Sequence, residues 1–107
     1  MPKKLRNPLT VPSLVQERLE IWGRAIRAQR VRQRIPAADL CRRMEISDAT
    51  LRRIERGDPG VSAANYLTAL WVVGIMNTAA PALDVAYGLT NPAARARRNP
   101  QDDDDYF

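Results

Sequence analysis

Residues 37–57, AADLCRRMEISDATLRRIERG, decide the fold. Read for helical periodicity, the stretch holds two short helices with a break between them. Over 37–44 the apolar residues Leu40, Cys41 and Met44 share one inward face. Ile46 and Ser47 leave that helix. Ser47 is a good N-cap, because its hydroxyl can accept from an amide that the first helical turn leaves unpaired. Asp48 then suits the positive end of the new helix's dipole, and Leu51 and Ile54, three apart, supply its buried contacts. A second helix is therefore predicted over 48–56. Gly57, Asp58, Pro59 and Gly60 stop it: glycine readily takes the left-handed conformation past a helix end, and a proline just beyond cannot continue the helix.

Upstream, Val15, Leu19, Trp22 and Ile26 recur at spacings of four, three and four, the pattern of one buried helical face. Arg18, Arg24, Arg27 and Arg30 fall away from it. This predicts a helix over about 14–33 with Ser13 as its cap, and Pro36 ends it or opens the next. Residues 1–13, with three prolines and three cations, read as a flexible basic arm. Downstream, Ser62 is the next cap, and Tyr66, Leu67, Leu70, Trp71 and Val73 make a helix closed by Gly74. Its apolar residues cover more than one face, which predicts burial against its own domain and against a second copy of the chain. A fifth helix is expected over roughly 78–87, adding Leu83, Val85 and Tyr87. The candidate dimer interface is Tyr66, Leu70, Trp71, Val73, Ile75, Met76, Leu83 and Tyr87. Residues 89–107, NPAARARRNPQDDDDYF at their core, are polar and charge-segregated and read as a disordered tail. The expectation is an all-α, five-helix domain over 14–88 between two arms.

At 107 residues the chain has room for one hydrophobic core. Its net charge of +5 favours a polyanionic partner, and without Asp102–Asp105 the remainder stands at +9. There is no histidine and Cys41 is the one cysteine, so neither a His/Cys metal cluster nor an internal disulfide can be built. No cofactor is expected. Lys3, Lys4 and Arg6 are followed by Pro8, Pro12, Gln16 and Glu17 rather than an apolar run, which argues against export. The most apolar segment, Ala69 to Met76, is far short of the ~20 residues that span a bilayer. A cytoplasmic protein, associated with the nucleoid and not the membrane, is expected.

Two short helices joined by a tight turn, the second basic on its open side, form the arrangement that sets a recognition helix into the major groove. With Leu51 and Ile54 inward, Ala49, Thr50, Arg52, Arg53 and Arg56 can face outward. Arginine can hold guanine O6 and N7 with two donors, which makes Arg52 and Arg53 the leading base or phosphate contacts. The alternative is a solvated face in which Glu55 pairs with Arg52 at i,i+3. Asp48 likewise has two readings, as a partner of the helix dipole or as an acceptor for a cytosine amino group. Cys41 reads as a packed thiol, and Trp22 and Trp71 as core or interface residues.

From Trp22 to Gly57, the sequence WGxxIRxxR, then IPAADLCRRMEIS, then DATLRRIERG resembles the Cro and lambda-repressor class of helix-turn-helix regulators, the XRE family. The continuation RGDPGVSAANYLTALWVVGI is similar to HipB-type antitoxins, which pair with HipA-type kinase toxins and repress their own operon. The resemblance implies a lambda-repressor-like fold whose third helix recognises DNA, and a homodimer on a palindromic operator in double-stranded DNA. It carries candidate DNA contacts onto Arg34, Ala37, Arg43, Ser47, Asp48, Ala49, Thr50, Arg52, Arg53 and Arg56. The chain departs from the family at Arg34 and at Glu45, both of which stand where the family has glycine. It departs also at Ala37, which stands where a phosphate-binding glutamine is usual; Arg34 and Arg43 are the candidates to replace that contact.

Three functional classes follow. The first is a transcriptional repressor, on the antitoxin side of a toxin operon. The second is a protein-interaction module that keeps the scaffold with little DNA affinity, a reading that rests on Ala37, Glu45 and Asp48. An enzyme is not expected, since no nucleophile elbow, phosphate-cradling glycine loop or paired carboxylates are visible. An RNA-binding surface would need aromatic platforms, and Phe107 is the one phenylalanine in the chain.

Overall fold

A computed structural model describes residues 10–88; the expected basic arm up to residue 9 and the charged tail from residue 89 lie outside them. The described residues are all-α. Five helices follow in order: α1 (Ser13–Arg32), α2 (Ala37–Met44), α3 (Asp48–Arg56), α4 (Ala63–Val72) and α5 (Met76–Ala79), closed by a 3-10 turn at Val85–Tyr87. Ile26, Ile35, Leu40, Cys41, Leu51, Ile54, Tyr66, Ala69 and Leu70 form one core, to which α1 through α4 all contribute.

The local signals at α3 and α4 act as their chemistry dictates. The Ser47 hydroxyl accepts from the Thr50 amide at 3.1 Å, and that of Ser62 from the Asn65 amide at 3.1 Å. Gly57 closes α3 at φ 78°, letting the Asp58 amide donate back to the Arg53 carbonyl at 3.0 Å. At the end of α4, the Gln33 side chain reaches across from the α1–α2 connection and donates to the Val73 carbonyl at 2.7 Å.

Elsewhere the structure corrects the reading. Pro12, not Ser13, caps α1: Ser13 is already helical, no side-chain cap bond forms, and the Pro12 carbonyl accepts from the Gln16 amide at 3.0 Å. Val11, assigned to the arm, is buried. Val15 is exposed rather than buried, because α1 turns its Gln16–Glu20–Gly23 line toward α3, about 100° away from Val15. Arg30, expected on the open face, is only 11% exposed and pairs with Glu55. The fifth helix ends at Ala79 instead of running to 87. Pro81 explains this: its ring disfavours a helical conformation in the residue before it, and Ala80 sits at φ −142°, ψ 71°.

α1 and α3 cross with their backbones in contact. A Cβ on Gly23 would lie 2.5 Å from the Ile54 carbonyl oxygen and 2.7 Å from that of Glu55. A Cβ on Gly57 would lie 2.6 Å from the Glu20 Cα. Only glycine at both positions allows this approach, which holds the C-terminal half of α3 against α1.

Arg34 at 60° and Glu45 at 57° are the two non-glycine residues with positive φ among those described. Each closes a helix, the Ile35 amide donating to Arg30 and the Ile46 amide to Cys41. A side chain in the left-handed region costs about 1–2 kcal/mol, against ~0.5–1 kcal/mol for glycine's extra freedom when unfolded. Glu45→Gly should therefore stabilise the fold by about 0.5–1 kcal/mol in urea unfolding. No change, or a loss, would show that the Glu45 side chain supports the turn.

Candidate nucleic-acid interface

α3 carries its apolar and its cationic residues on opposite faces. At 100° per residue, Leu51 and Ile54 point one way while Ala49, Arg52, Arg53 and Arg56 cluster on the other. The burial agrees: Leu51 and Ile54 are in the core, Ala49, Arg52 and Arg56 are exposed, and Arg53 and Thr50 are half-buried. Three guanidinium groups thus share an open stripe along one short helix, whose core contacts and close crossing with α1 fix its position.

The three arginines are not equivalent. Arg53 donates from Nε to Asp58 Oδ2 at 3.1 Å. Neither Arg52 nor Arg56 has an ion pair among the described residues. The alternative pairing of Arg52 with Glu55 is not formed, because Glu55 turns to α1, where it accepts from Arg30 Nε at 2.9 Å and Nη2 at 3.3 Å.

The turn after α3 supplies what the sequence reading passed over. Asp58, Pro59 and Gly60 were legible as a helix stop, but the Asp58 carboxylate also accepts from the Gly60 amide at 2.7 Å, the local closure typical of Asp-containing turns. The Tyr66 hydroxyl donates to the Asp58 carbonyl at 2.7 Å. The Gly60 amide, opposed in part by burial and helped by Arg53, holds the Asp58 carboxyl below the usual carboxylate range. Its charged contacts are therefore intact at neutral pH and are lost only as pH falls through that lowered value. Burial pushes the Tyr66 hydroxyl up to about 12, so it remains a donor at physiological pH.

The remaining candidates are distributed around this stripe. Ser47 is the N-cap of α3, and Asp48, exposed on its first turn, accepts from the Cys41 thiol at 3.5 Å. Burial, then Asp48, pushes that thiol up, so it stays protonated and packed, as read from the sequence. Arg34 is exposed in the α1–α2 turn and Ala37 half-buried at the start of α2. Arg43 lies toward α4, where it lines a shallow groove of about 300 Å³ with Trp71 and Val72. Of the candidate dimer residues, Tyr66, Leu70 and Val73 are buried in the chain's own core. Trp71, Leu83 and Tyr87 are exposed, and Ile75 and Met76 half-buried.

No protein-family model, no curated protein and no solved structure matches the chain. The resemblance to the Cro and lambda-repressor class rests on the residues quoted for it. Among the described residues no helix is long and apolar enough to cross a membrane.

Proposed function

We propose that this chain is a sequence-specific DNA-binding repressor whose lambda-repressor-like helix-turn-helix, α2 and α3, sets α3 into the major groove of a palindromic operator. The observation that carries the reading is the open arginine stripe on α3, opposite the core face made by Leu51 and Ile54. An arginine there can donate twice to guanine or to phosphate. In the cell such a protein works in the cytoplasm, on the nucleoid. The similarity of residues 56–75 to HipB-type antitoxins extends the proposal to autoregulation of a toxin operon, with a HipA-type kinase toxin as protein partner. Selection from a randomised duplex library tests it: a repressor enriches one palindromic sequence, whereas a toxin-binding scaffold without DNA affinity enriches none. That second reading is favoured by Asp48, which puts an exposed carboxylate on the first turn of the helix that would approach phosphates.

A two-fold dimer is part of the proposal. Trp71 is 66% exposed, Leu83 64% and Tyr87 75%, large apolar side chains that a partner surface would cover. Trp71→Arg should convert the dimer to monomers in sedimentation without loss of helicity. A monomeric wild type at micromolar concentration would leave the arginine stripe to bind as a single half-site.

A further inference from the structure

Asp58 is fixed on every side that could move it. Its amide donates to the Arg53 carbonyl at 3.0 Å. Its carbonyl accepts from the buried Tyr66 side chain at 2.7 Å. Its Oδ1 accepts from the Gly60 amide at 2.7 Å. One oxygen, Oδ2, is left, and it takes Arg53 Nε at 3.1 Å. This is more restraint than stopping α3 requires, since Gly57 already closes the helix in the left-handed conformation.

The way Arg53 is held matters as much. Guanidinium offers five N–H donors in a rigid plane. Asp58 occupies the Nε donor, so the Nη1–Nη2 end, the pair that grips two acceptors at once, stays open. The side chain remains 42% exposed. Gly60 borders the same group: a Cβ there would lie 3.0 Å from Arg53 Nη2 and 3.1 Å from Asp58 Oδ1. Arg52 and Arg56, on the same stripe, have no comparable support.

We infer that Asp58 is a positioning residue for DNA recognition, holding Arg53 as a pre-oriented fork for a pair of acceptors on the duplex, with Gly60 leaving the space the fork needs. The inference rests on the repressor reading and names the arginine that grips two acceptors. The acceptors are guanine O6 and N7 or two phosphate oxygens, the same chemistry in two places. Pre-orientation removes the entropy of ordering a long side chain at the moment of binding.

The sign of the expected effect sets this apart from simple electrostatics. Asp58 is a negative charge beside a polyanion's site, so on charge alone its removal tightens binding to every duplex. As a positioning residue, its removal weakens binding. The experiment uses the full chain and the duplex that the wild type enriches from a randomised library, with a scrambled duplex beside it, read by fluorescence anisotropy over a salt titration. Asp58→Asn, which can keep the acceptor for the Gly60 amide, should weaken binding to the enriched duplex about tenfold. Gly60→Ala, which alters no charge, should weaken binding in the same direction by a smaller factor, because the new methyl pushes the guanidinium a few tenths of an ångström off its position. Arg53→Lys should lose as much, and the Asp58→Asn/Arg53→Lys double variant no more than either single one, a coupling that a merely structural role of Asp58 would not produce. A loss confined to the enriched duplex identifies guanine as the acceptor, and an equal loss on both duplexes identifies phosphate. Equal or tighter binding by Asp58→Asn, or losses that add in the double variant, overturns the assignment while leaving the repressor reading in place. Failure of the wild type to enrich any duplex removes both.

Discussion

Replacing Glu55 with alanine should cost the fold about 3 kcal/mol, the largest stability effect expected of any single charge in the described residues. Glu55 and Arg30 pair through two contacts, 2.9 Å and 3.3 Å, and their side chains are 10% and 11% exposed. Arg30 also donates from Nη1 to the Ile35 carbonyl at 3.2 Å, so this one group ties α1, the α1–α2 connection and α3 together. Removing Glu55 leaves a guanidinium almost shut off from water without its counter-charge. Arg27, 3.9 Å from Glu55 and 66% exposed, sits in solvent and adds little. For a domain of this size the loss corresponds to a fall of about 12–24 °C in melting temperature. Arg30→Met/Glu55→Leu should be far milder than either single truncation, since an apolar pair of similar volume leaves no buried charge. Urea unfolding at low and high salt provides the check: a loss under ~1 kcal/mol that shrinks further with salt would show that the pair behaves as a surface contact.

What could and could not be read from the sequence follows the range of the interaction. Ser47, Ser62 and Gly57 act on amides and carbonyls within four residues of themselves, so α2 and α3 are legible to the residue and the start of α4 nearly so. Glu55 acts across 25 residues, and nothing local distinguishes its tie to Arg30 from an i,i+3 contact with Arg52. Gly23 shows the same limit. Within α1 it reads as a weak helix former, and its purpose emerges only when the Ile54 and Glu55 carbonyls are found against it. Tyr66, Leu70 and Val73 read as interface residues because α4 is apolar on several sides. Their spacing of four and three marks them as the core stripe, and Trp71, one residue on from Leu70, is the side chain left outside. The short α5 was legible in principle, since Pro81 forbids the helix that the apolar residues beyond it suggested. Asp58 reads locally as part of the helix stop, and the bond from Arg53 to its carboxylate hides behind that simpler role.

On the proposed function, Arg52→Ala/Arg53→Ala should abolish discrimination between the operator and other DNA while leaving the fold intact. Leu51 and Ile54 anchor α3 to the core from the opposite face, and neither arginine contributes to that core, so helicity and the dimer should survive. The two guanidinium groups diverge by about 100° around the helix. Arg53 is held from the side by Asp58, and Arg52 stands open beside it. A lost base-reading arginine costs about 1–3 kcal/mol at each half-site, and a two-fold dimer loses it twice. A lost phosphate contact weakens every duplex alike and lowers the slope of log affinity against log salt by about 1 per contact. Titrating wild type and double variant with the enriched and scrambled duplexes over a range of salt separates the two: the gap between duplexes measures base reading, and the slope counts phosphates. If the double variant still prefers the enriched duplex as strongly as the wild type, α3 is not the recognition helix, and the fold's open arginines belong to a protein-binding surface instead.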